Sequence, residues 1–268
     1  MDEPYCVIVY GINELASAIA RQLRISGHAV AMHESRPPRV LRRKMAFSDA
    51  WYDGAAVLDG VEVRRADCNA DFLCGMRHGA FIPLLSHPLQ DVVGRWPWDV
   101  VVDVRDVTTP RSIAGAAELT VVVGSGAVAG RDCDLVIETA GPDPGAVLHE
   151  GAAKGSLDPL SRADDVITSE MSGVFTSRRA IGEVVAAGAL LGRIEATPVV
   201  TRRPGRILGL QRSLWSVKSG DRIVELAPAA AEQVSGSSRT HRQIARALAF
   251  AIEVEMKWPE MRFEKLKW

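Results

Sequence analysis

The first twenty-five residues join a short apolar run to an amphipathic stretch. Cys6–Tyr10 is continuously apolar, which is typical of a strand covered on both faces. Gly11 follows at once, and Leu15, Ile19 and Leu23 then recur every four residues, as they do on one face of a helix. The pattern predicts a buried strand, a tight turn and a helix packed against the strand.

A second apolar run, Ala29–His33, ends at Glu34. Strand, glycine turn, helix, strand and acid follow one another in this order in dinucleotide-binding units, where turn amides meet a phosphate and the acid meets a ribose. The full fingerprint has three glycines, whereas this chain has Gly11, Asn13 and Ala16 at those positions. The pattern leaves two alternatives open, a dinucleotide site or a scaffold that has lost it.

Further apolar runs extend the predicted sheet. They lie at 81–85, 100–102, 119–123 and 135–139, and a hairpin with an Asp59-Gly60 turn precedes them. Asp103 stands at the carboxyl end of one run, where open sheets place ligand contacts. Gly124 and Gly126 begin a glycine-rich loop that either directs amides onto an anion or simply crosses the surface.

A basic segment follows the second predicted strand. Arg42 and Arg43 are adjacent in it, and two prolines precede them. Two arginines near a helix N-terminus are suited to holding a phosphate or another anion. The alternative is a solvated loop.

The C-terminal half contains an internal repeat between residues 172 and 226. Each copy has two glycines fifteen residues apart, with a valine three residues before the second glycine; the glycines are Gly173, Gly188, Gly205 and Gly220. Each copy predicts a strand, a second strand, a glycine turn and a third strand. Two interlocked copies resemble the biotinyl/lipoyl domain, or barrel-sandwich hybrid. The linking segment 195–203 has no lysine, so neither biotin nor lipoate is expected.

The predicted fold class is therefore α/β, with a Rossmann-like N-terminal domain, a small all-β barrel-sandwich domain and a C-terminal helix. The domains are placed at 1–163, 164–228 and 229–268. In the last segment, Thr240 and Gln243 suggest a capping box, and an apolar stripe from Ile244 to Met256 suggests packing on the α/β domain.

Composition narrows the functional classes. The chain has 268 residues, 32 basic and 33 acidic, and a net charge of −1, so no general attraction to nucleic acid or anionic membrane is expected. The four cysteines lack metal-ligand spacing, and no metal site is predicted. The N-terminus does not read as a leader and no apolar stretch has membrane-spanning length, so a cytoplasmic location is predicted. No residue pattern identifies a catalytic group.

Several segments in this order resemble the YqeB-type family, the accessory proteins of the selenium-dependent molybdenum hydroxylase system. They are VIVYGINELASAIA, LRRKMAFSDAWYDG, VVVDVRD, VVVGSGAVAGRDCDLVIET and the doubled repeat. The resemblance implies a maturation factor for a molybdenum hydroxylase of the xanthine dehydrogenase type, which handles or inserts the molybdenum cofactor. The client hydroxylase is then the expected partner, together with a second copy of the chain.

The same resemblance assigns positions to a ligand. It places a phosphate-binding turn at Gly11 and Asn13, an arginine pair at Arg42 and Arg43, and a second glycine loop from Gly124. A nucleotide and a molybdopterin-type compound are the two ligand classes that it suggests. The alternative functions are an NAD(P)-dependent oxidoreductase and a nucleotide-sensing interaction protein.

Overall fold

The structure is a computed structural model that groups the chain into two compact units. The residues it describes are 4–93, 96–105, 112–155, 166–231 and 233–257. The first group, here the α/β unit, consists of Met1–Pro38, Phe47–Pro159 and Ser237–Trp268. The second, the β unit, consists of Arg39–Ala46 and Leu160–Gly236. The predicted boundary between 163 and 164 lies outside the described residues.

The α/β unit is built on one nine-stranded sheet. Its strands are β1 (Cys6–Tyr10), β2 (Ala29–His33), β3 (Ala55–Leu58), β4 (Val61–Arg65), β5 (Ile82–Leu85), β6 (Val100–Asp103), β7 (Leu119–Val123), β8 (Leu135–Ile137) and β9 (Val147–Leu148). They are ordered β3-β4-β5-β2-β1-β6-β7-β8-β9. The strands from β4 to β8 in this order run parallel, and the edge strands β3 and β9 run antiparallel to their neighbours.

Helices cover both faces of this sheet. They are α1 (Glu14–Ile25), α2 (Asp49–Asp53), α3 (Asn69–His78), α4 (Leu89–Val93) and α5 (Arg239–Lys257). The apolar side chains of α1 and α5 pack together on one face, with Val7 and Val9 of β1. Met76 of α3 and Val92 of α4 pack on the other face, with Ile8 and Tyr10. Alternation along β1 therefore supplies both cores.

The structure tests two local predictions in this unit. The hairpin turn is confirmed, because Asp59 and Gly60 both have positive φ, as a type I′ turn requires. The predicted capping box of the last helix is wrong. The helix begins at Arg239, and the Ser238 hydroxyl accepts a hydrogen bond from the His241 amide at 3.1 Å, so Ser238 is the cap.

The β unit contains two separate antiparallel sheets. Their strands are β10 (Val166–Thr168), β11 (Gly173–Thr176), β12 (Val184–Val185), β13 (Leu190–Ile194), β14 (Thr197–Val200), β15 (Gly205–Leu210), β16 (Trp215–Val217) and β17 (Arg222–Ala227). One sheet is ordered β10-β17-β15-β12 and the other β14-β13-β11-β16. A 3-10 turn at Arg43–Met45 belongs to the same unit.

The sequence repeat is visible in these sheets. The first copy supplies β11, β12 and β13, and the second supplies β15, β16 and β17, so the predicted strand positions are confirmed. Each copy gives two strands to one sheet and its middle strand to the other. The two copies therefore exchange their middle strands, and neither copy completes a sheet without the other.

The predicted fold class is nevertheless wrong. A Rossmann-like sheet winds through helical crossovers on both faces, whereas the described parts of the connections from β6 to β8 contain no helix. That part of the sheet is covered by α5 from the far end of the sequence, and antiparallel strands close both edges. The second module is a pair of four-stranded sheets and not the predicted biotinyl-type barrel. Local periodicity located the strands correctly, but it does not encode which strands pair or which distant helix covers them.

Candidate functional site

Three polar side chains lie side by side at the carboxyl end of the parallel strands. Tyr10 pairs in register with His33 of β2 on one side and with Asp103 of β6 on the other. All three are buried. The Tyr10 and His33 rings meet edge to face, with centroids 5.8 Å apart. The prediction that Asp103 stands at a strand end is confirmed by this register.

Arg105 covers this polar row. Its guanidinium donates to the Asp103 carboxylate at 3.0 and 2.7 Å and lies over the Tyr10 ring, 5.3 Å from the centroid. Hydrogen bonding to Asp103 raises the pKa of Arg105 further. Burial raises the pKa of Tyr10 to about 12 despite the nearby cation. The phenol is therefore neutral across the physiological range.

The neighbouring strand end adds two groups whose ionisation burial disfavours. His33 Nε2 lies 2.7 Å from the carbonyl oxygen of His87, and burial lowers the pKa of His33. Burial raises the pKa of Glu34, although the Arg36 amide donates to its carboxylate. Desolvation thus favours the neutral form of both side chains.

The glycine turn after β1 makes its hydrogen bonds within the protein. Gly11 has a φ of +106°, and a Cβ built on it would lie 3.1 Å from the Val104 carbonyl oxygen. The Asn13 side chain accepts a hydrogen bond from the Ala16 amide at 2.8 Å and donates one to Val104 O at 2.7 Å. The Asn13 side-chain oxygen therefore caps α1 and occupies an amide that a phosphate would otherwise bind.

The second glycine loop is also largely occupied by its own contacts. The Gly124 amide donates to Ile137 O and the Ser125 amide to Gly155 O, each at 2.9 Å. Gly126 has a φ of +104°, so its conformation favours glycine. Two of the loop's first amides are thus committed to the protein's own carbonyl groups.

An anion-binding nest does occur beside this loop, and a side chain fills it. The Glu138 carboxylate accepts hydrogen bonds from the amides of four residues at 2.8–3.0 Å: Thr139, Ala140, Lys154 and Gly155. Burial acts to raise the pKa of Glu138, but the four donors outweigh it and lower the pKa overall. The backbone amides at this point are therefore arranged to bind a carboxylate.

The structure places the predicted arginine pair in the β unit. Arg42 donates through Nε to Glu225 Oε2 at 2.8 Å, and its Nη2 contacts the second carboxylate oxygen. Arg43 donates through Nε to the Leu210 carbonyl at 3.0 Å. Gly11, Asn13, Glu34, Asp103, Gly124 and Gly126 belong to the α/β unit. That either arginine binds a ligand anion remains a prediction.

An open cleft of about 450 Å³ lies beside the carboxyl ends of β4 and β5. The aromatic part of its apolar wall is formed by Phe72 of α3 with Trp96 and Trp98. Polar side chains complete the lining; they are Asp67, Cys68, Asn69, His87 and Asp91. His87 connects the cleft to the polar row, because its carbonyl is the partner of His33. This volume is in the range of small-molecule sites.

Sequence reasoning missed this cleft. Trp96 and Trp98 flank a proline, and no periodicity or motif attaches them to Phe72, which lies more than twenty residues earlier. A usable signal was present in composition, since two of the three residues in Trp96-Pro97-Trp98 are tryptophan. An aromatic pair just before a buried strand is a reasonable flag for a ligand surface.

Among the residues that the structure describes, no group of three or more histidine, cysteine, aspartate or glutamate side chains is placed to hold a metal ion. None of the described helices combines the length and the apolar character that a bilayer crossing requires.

The chain is similar in sequence to one curated protein, the uncharacterized protein YqeB of Escherichia coli strain K12. The two are 28% identical over 229 residues, which is 83% of this chain and 42% of that protein. The chain thus spans less than half the length of this relative. The likeness supports the resemblance to the YqeB family. No protein-family model matches the chain.

Solved structures that align with the chain are of a different kind. The apo form of the ectoine utilization protein EutE (DoeB) from Ruegeria pomeroyi is 13% identical, with 84% of this chain and 86% of that chain covered and a TM-score of 0.27. An aspartoacylase family protein from Mesorhizobium loti is 12% identical, with 86% and 87% covered and a TM-score of 0.29. TM-scores this low carry no argument about activity.

Proposed function

We propose that the chain is a cytoplasmic accessory protein in the maturation of a molybdenum hydroxylase of the xanthine dehydrogenase type, within the selenium-dependent system. It acts by binding: the α/β unit holds the ring system of the cofactor in the aromatic cleft while the client hydroxylase receives it. The client is its partner, and a second copy of the chain is a further one.

The single observation that carries the proposal is the cleft at the carboxyl ends of β4 and β5. Open α/β sheets bind ligands outside the carboxyl ends of their strands. Phe72, Trp96 and Trp98 offer ring faces there, and about 450 Å³ accommodates a fused bicyclic ring with a substituent. The pterin ring of a molybdenum cofactor fits this chemistry, with Asp67 and Asp91 as acceptors for its N–H groups.

The turn geometry favours this proposal over the oxidoreductase alternative. A dinucleotide needs the amides at the start of α1 for its pyrophosphate. Asn13 uses the Ala16 amide and fills the turn against Val104. The polar row offers Tyr10 and His33, and burial disfavours the ionised form of both, the tyrosinate and the imidazolium.

The experiment is a deletion of the gene in its host, followed by purification of each molybdenum hydroxylase. We expect a client with low activity and low molybdenum content, restored by the wild-type chain and not by Phe72→Ala. Phe250→Ala, on the exposed face of α5, is the matched control and should restore activity. Hydroxylases that keep full activity and full molybdenum content in the deletion strain would overturn the proposal. Selenium content, measured on the same samples, tests the selenium-dependent part separately.

A further inference from the structure

The wall of the cleft presents aromatic rings in a fixed arrangement. The Phe72 and Trp96 rings are edge to face, with centroids 5.0 Å apart, and Phe72 and Trp98 are also edge to face at 6.2 Å. The indole nitrogen of Trp98 donates to the Val92 carbonyl at 3.4 Å, which holds the ring in place. Rings that brace one another in this way give a flat ligand a rigid surface on which to stack.

Hydrogen-bond acceptors stand at the rim. Arg65 donates through Nε to the Asp67 carboxylate at 2.9 and 3.0 Å, and it donates through Nη1 to the Trp51 carbonyl at 2.8 Å. The carboxylate is thereby oriented, and it retains lone pairs because a carboxylate accepts about four hydrogen bonds. Asp91 brings a second carboxylate to the lining.

Donors come from the start of α3. Cys68 and Asn69 line the cleft, and the first helical hydrogen bond runs from the Phe72 amide to the Cys68 carbonyl at 3.2 Å. The amides of the first helical turn precede that bond and are outside the helical ladder. The Asn69 carboxamide adds a donor of its own. A ligand carbonyl oxygen would find its partners on this side.

The charge of the lining selects among ligands. Among the described residues that line the cleft, two are aspartates and none is a lysine or an arginine. Arg65 offsets the charge of the Asp67 carboxylate, so Asp91 supplies the net negative charge of the lining. Carboxylates repel a phosphate and attract N–H donors. The part of a ligand that enters the cleft is therefore a ring that carries donors, and any phosphate stays outside.

We propose that the cleft recognises a fused heteroaromatic ring bearing an exocyclic amine, an adjacent ring N–H and a carbonyl, the edge that guanine and pterins share. The amine and ring N–H face the carboxylates of Asp67 and Asp91, the carbonyl faces the start of α3, and the ring face stacks on Trp96. This rests on the proposed function in one respect, the use of the same cleft.

The test is calorimetric titration of the full chain with matched pairs of small ligands. Pterin is compared with lumazine, which has a carbonyl in place of the amine, and guanosine with inosine, which lacks the amine. Binding should weaken by about tenfold or more when the amine is lost, since only the ring N–H is then left to donate to the carboxylates. The stronger of pterin and guanosine identifies the source of the ring.

Variants assign the contacts. Asp91→Asn and Asp67→Asn should each weaken pterin or guanosine binding. Lumazine and inosine keep the ring N–H but lack the amine, so their binding should weaken less. Trp96→Ala should weaken the binding of all four ligands by about tenfold, because stacking uses the ring face that they share. Trp96→Phe should retain most of the affinity. Glu118→Gln, an exposed carboxylate in the same unit outside the lining, and Phe250→Ala should bind as wild type does.

Three results would overturn the inference. The first is equal affinity within both ligand pairs, and the second is no binding of any ring. The third is competition by tetramethylammonium as strong as that by pterin, which would make the cleft a cage for alkylammonium groups. Failure of the maturation proposal is separate: ring binding with a fully active hydroxylase in the deletion strain sinks that proposal alone. A hydroxylase that depends on the chain, without ring binding, sinks this inference and the use of the cleft, and leaves the maturation role itself standing.

Discussion

The two units of the chain each contain an arginine that grips a carboxylate with two nitrogens, and the surroundings of the two pairs differ. In the β unit, Arg42 and Glu225 are 183 residues apart in sequence, and their side chains are 9% and 3% exposed. In the α/β unit, Arg105 and Asp103 are neighbours at a strand end, and the Arg105 side chain is 31% exposed. One pair is sealed inside its unit, and the other reaches the surface.

This difference separates charge enclosed within a unit from charge at the carboxyl edge of the parallel strands. Arg42 belongs to the segment Arg39–Ala46, which is tied to the β sheets by Arg39 to Asp221 at 3.1 Å and by Lys44 Nζ to the Ile181 carbonyl at 2.9 Å. The basic segment is therefore part of the architecture of the β unit. Arg105 instead caps a row of polar strand ends, next to a cleft.

The largest expected effect comes from breaking the sealed pair. Glu225→Gln removes the bidentate carboxylate partner of the buried Arg42 cation, and we expect a loss of about 3–5 kcal/mol in the stability of the β unit. Hydrogen exchange of β15 and β17, followed by mass spectrometry, measures that loss locally.

The double variant Arg42→Met, Glu225→Leu is the informative control. Removing both charges leaves no buried ion, so most of the lost protection should return. Glu62→Gln, in an exposed pair with Arg64, should leave exchange unchanged. Equal losses in the single and double variants would show that packing, and not the uncompensated charge, carries the effect.

A smaller effect is expected in the α/β unit, where the Glu138 carboxylate sits in its nest of four amides. Glu138→Gln turns an amide group toward those donors and should cost about 1–3 kcal/mol near neutral pH, measured by urea unfolding. The folded-state pKa of Glu138 is lowered, so its contribution is present above the unfolded pKa of about 4.3 and is lost as pH falls through the folded value.

The pH dependence separates this effect from a packing defect. From about pH 6 to pH 3 the wild type should lose more stability than Glu138→Gln, and the two curves should converge at the acid end. Glu118→Gln should run parallel to the wild type. Parallel curves for Glu138→Gln as well would mean that the nest does not stabilise the ionised form.

The elements that the sequence predicts correctly are those with a local signal. Gly11, the α1 stripe, the Asp59-Gly60 turn and the strand positions of the repeat are local signals, with periods of two or about four residues or with a turn dipeptide. The structure confirms these elements. Pairing across the chain has no local signal, and so the fold class assembled from correct elements was wrong.

The candidate site was predictable to a lesser extent. Strand order placed Asp103 at a carboxyl edge, which the register confirms. In the sequence Arg42 resembles an anion-binding residue, because no nearby residue indicates that Glu225 is its partner. The aromatic cleft depends on Trp96 and Trp98 meeting Phe72, a contact that no spacing encodes.

A change in stability of about 1 kcal/mol is expected at Asn13. This residue lies in the turn after β1, the feature that distinguishes a dinucleotide site from a scaffold that has lost it. Asn13→Ala removes the cap of α1 and should cost about 1 kcal/mol by urea unfolding. Ser238→Ala removes the cap of α5 in the same unit. Because Asn13 also donates to Val104 O, we expect Asn13→Ala to be the more costly change. A cost well below that of Ser238→Ala would mean that the Asn13 contacts contribute little.

The smallest expected effect lies at the centre of the polar row. Tyr10 Oη is buried and has no hydrogen-bond partner within the described part of the chain. Tyr10→Phe removes a desolvated hydroxyl and no contact, so stability should stay within about 0.5 kcal/mol of the wild type or rise.

The matched change is Tyr52→Phe. The Tyr52 hydroxyl donates to the Pro38 carbonyl at 2.8 Å, and its loss should cost about 1 kcal/mol in the same urea titration. If Tyr10→Phe proves as costly as Tyr52→Phe, a buried water supplies a partner to the Tyr10 hydroxyl. A neutral result sharpens the contrast with the β unit. There the buried Arg42 pairs with Glu225, whereas the Tyr10 hydroxyl at its strand end finds no partner among the described residues of the α/β unit.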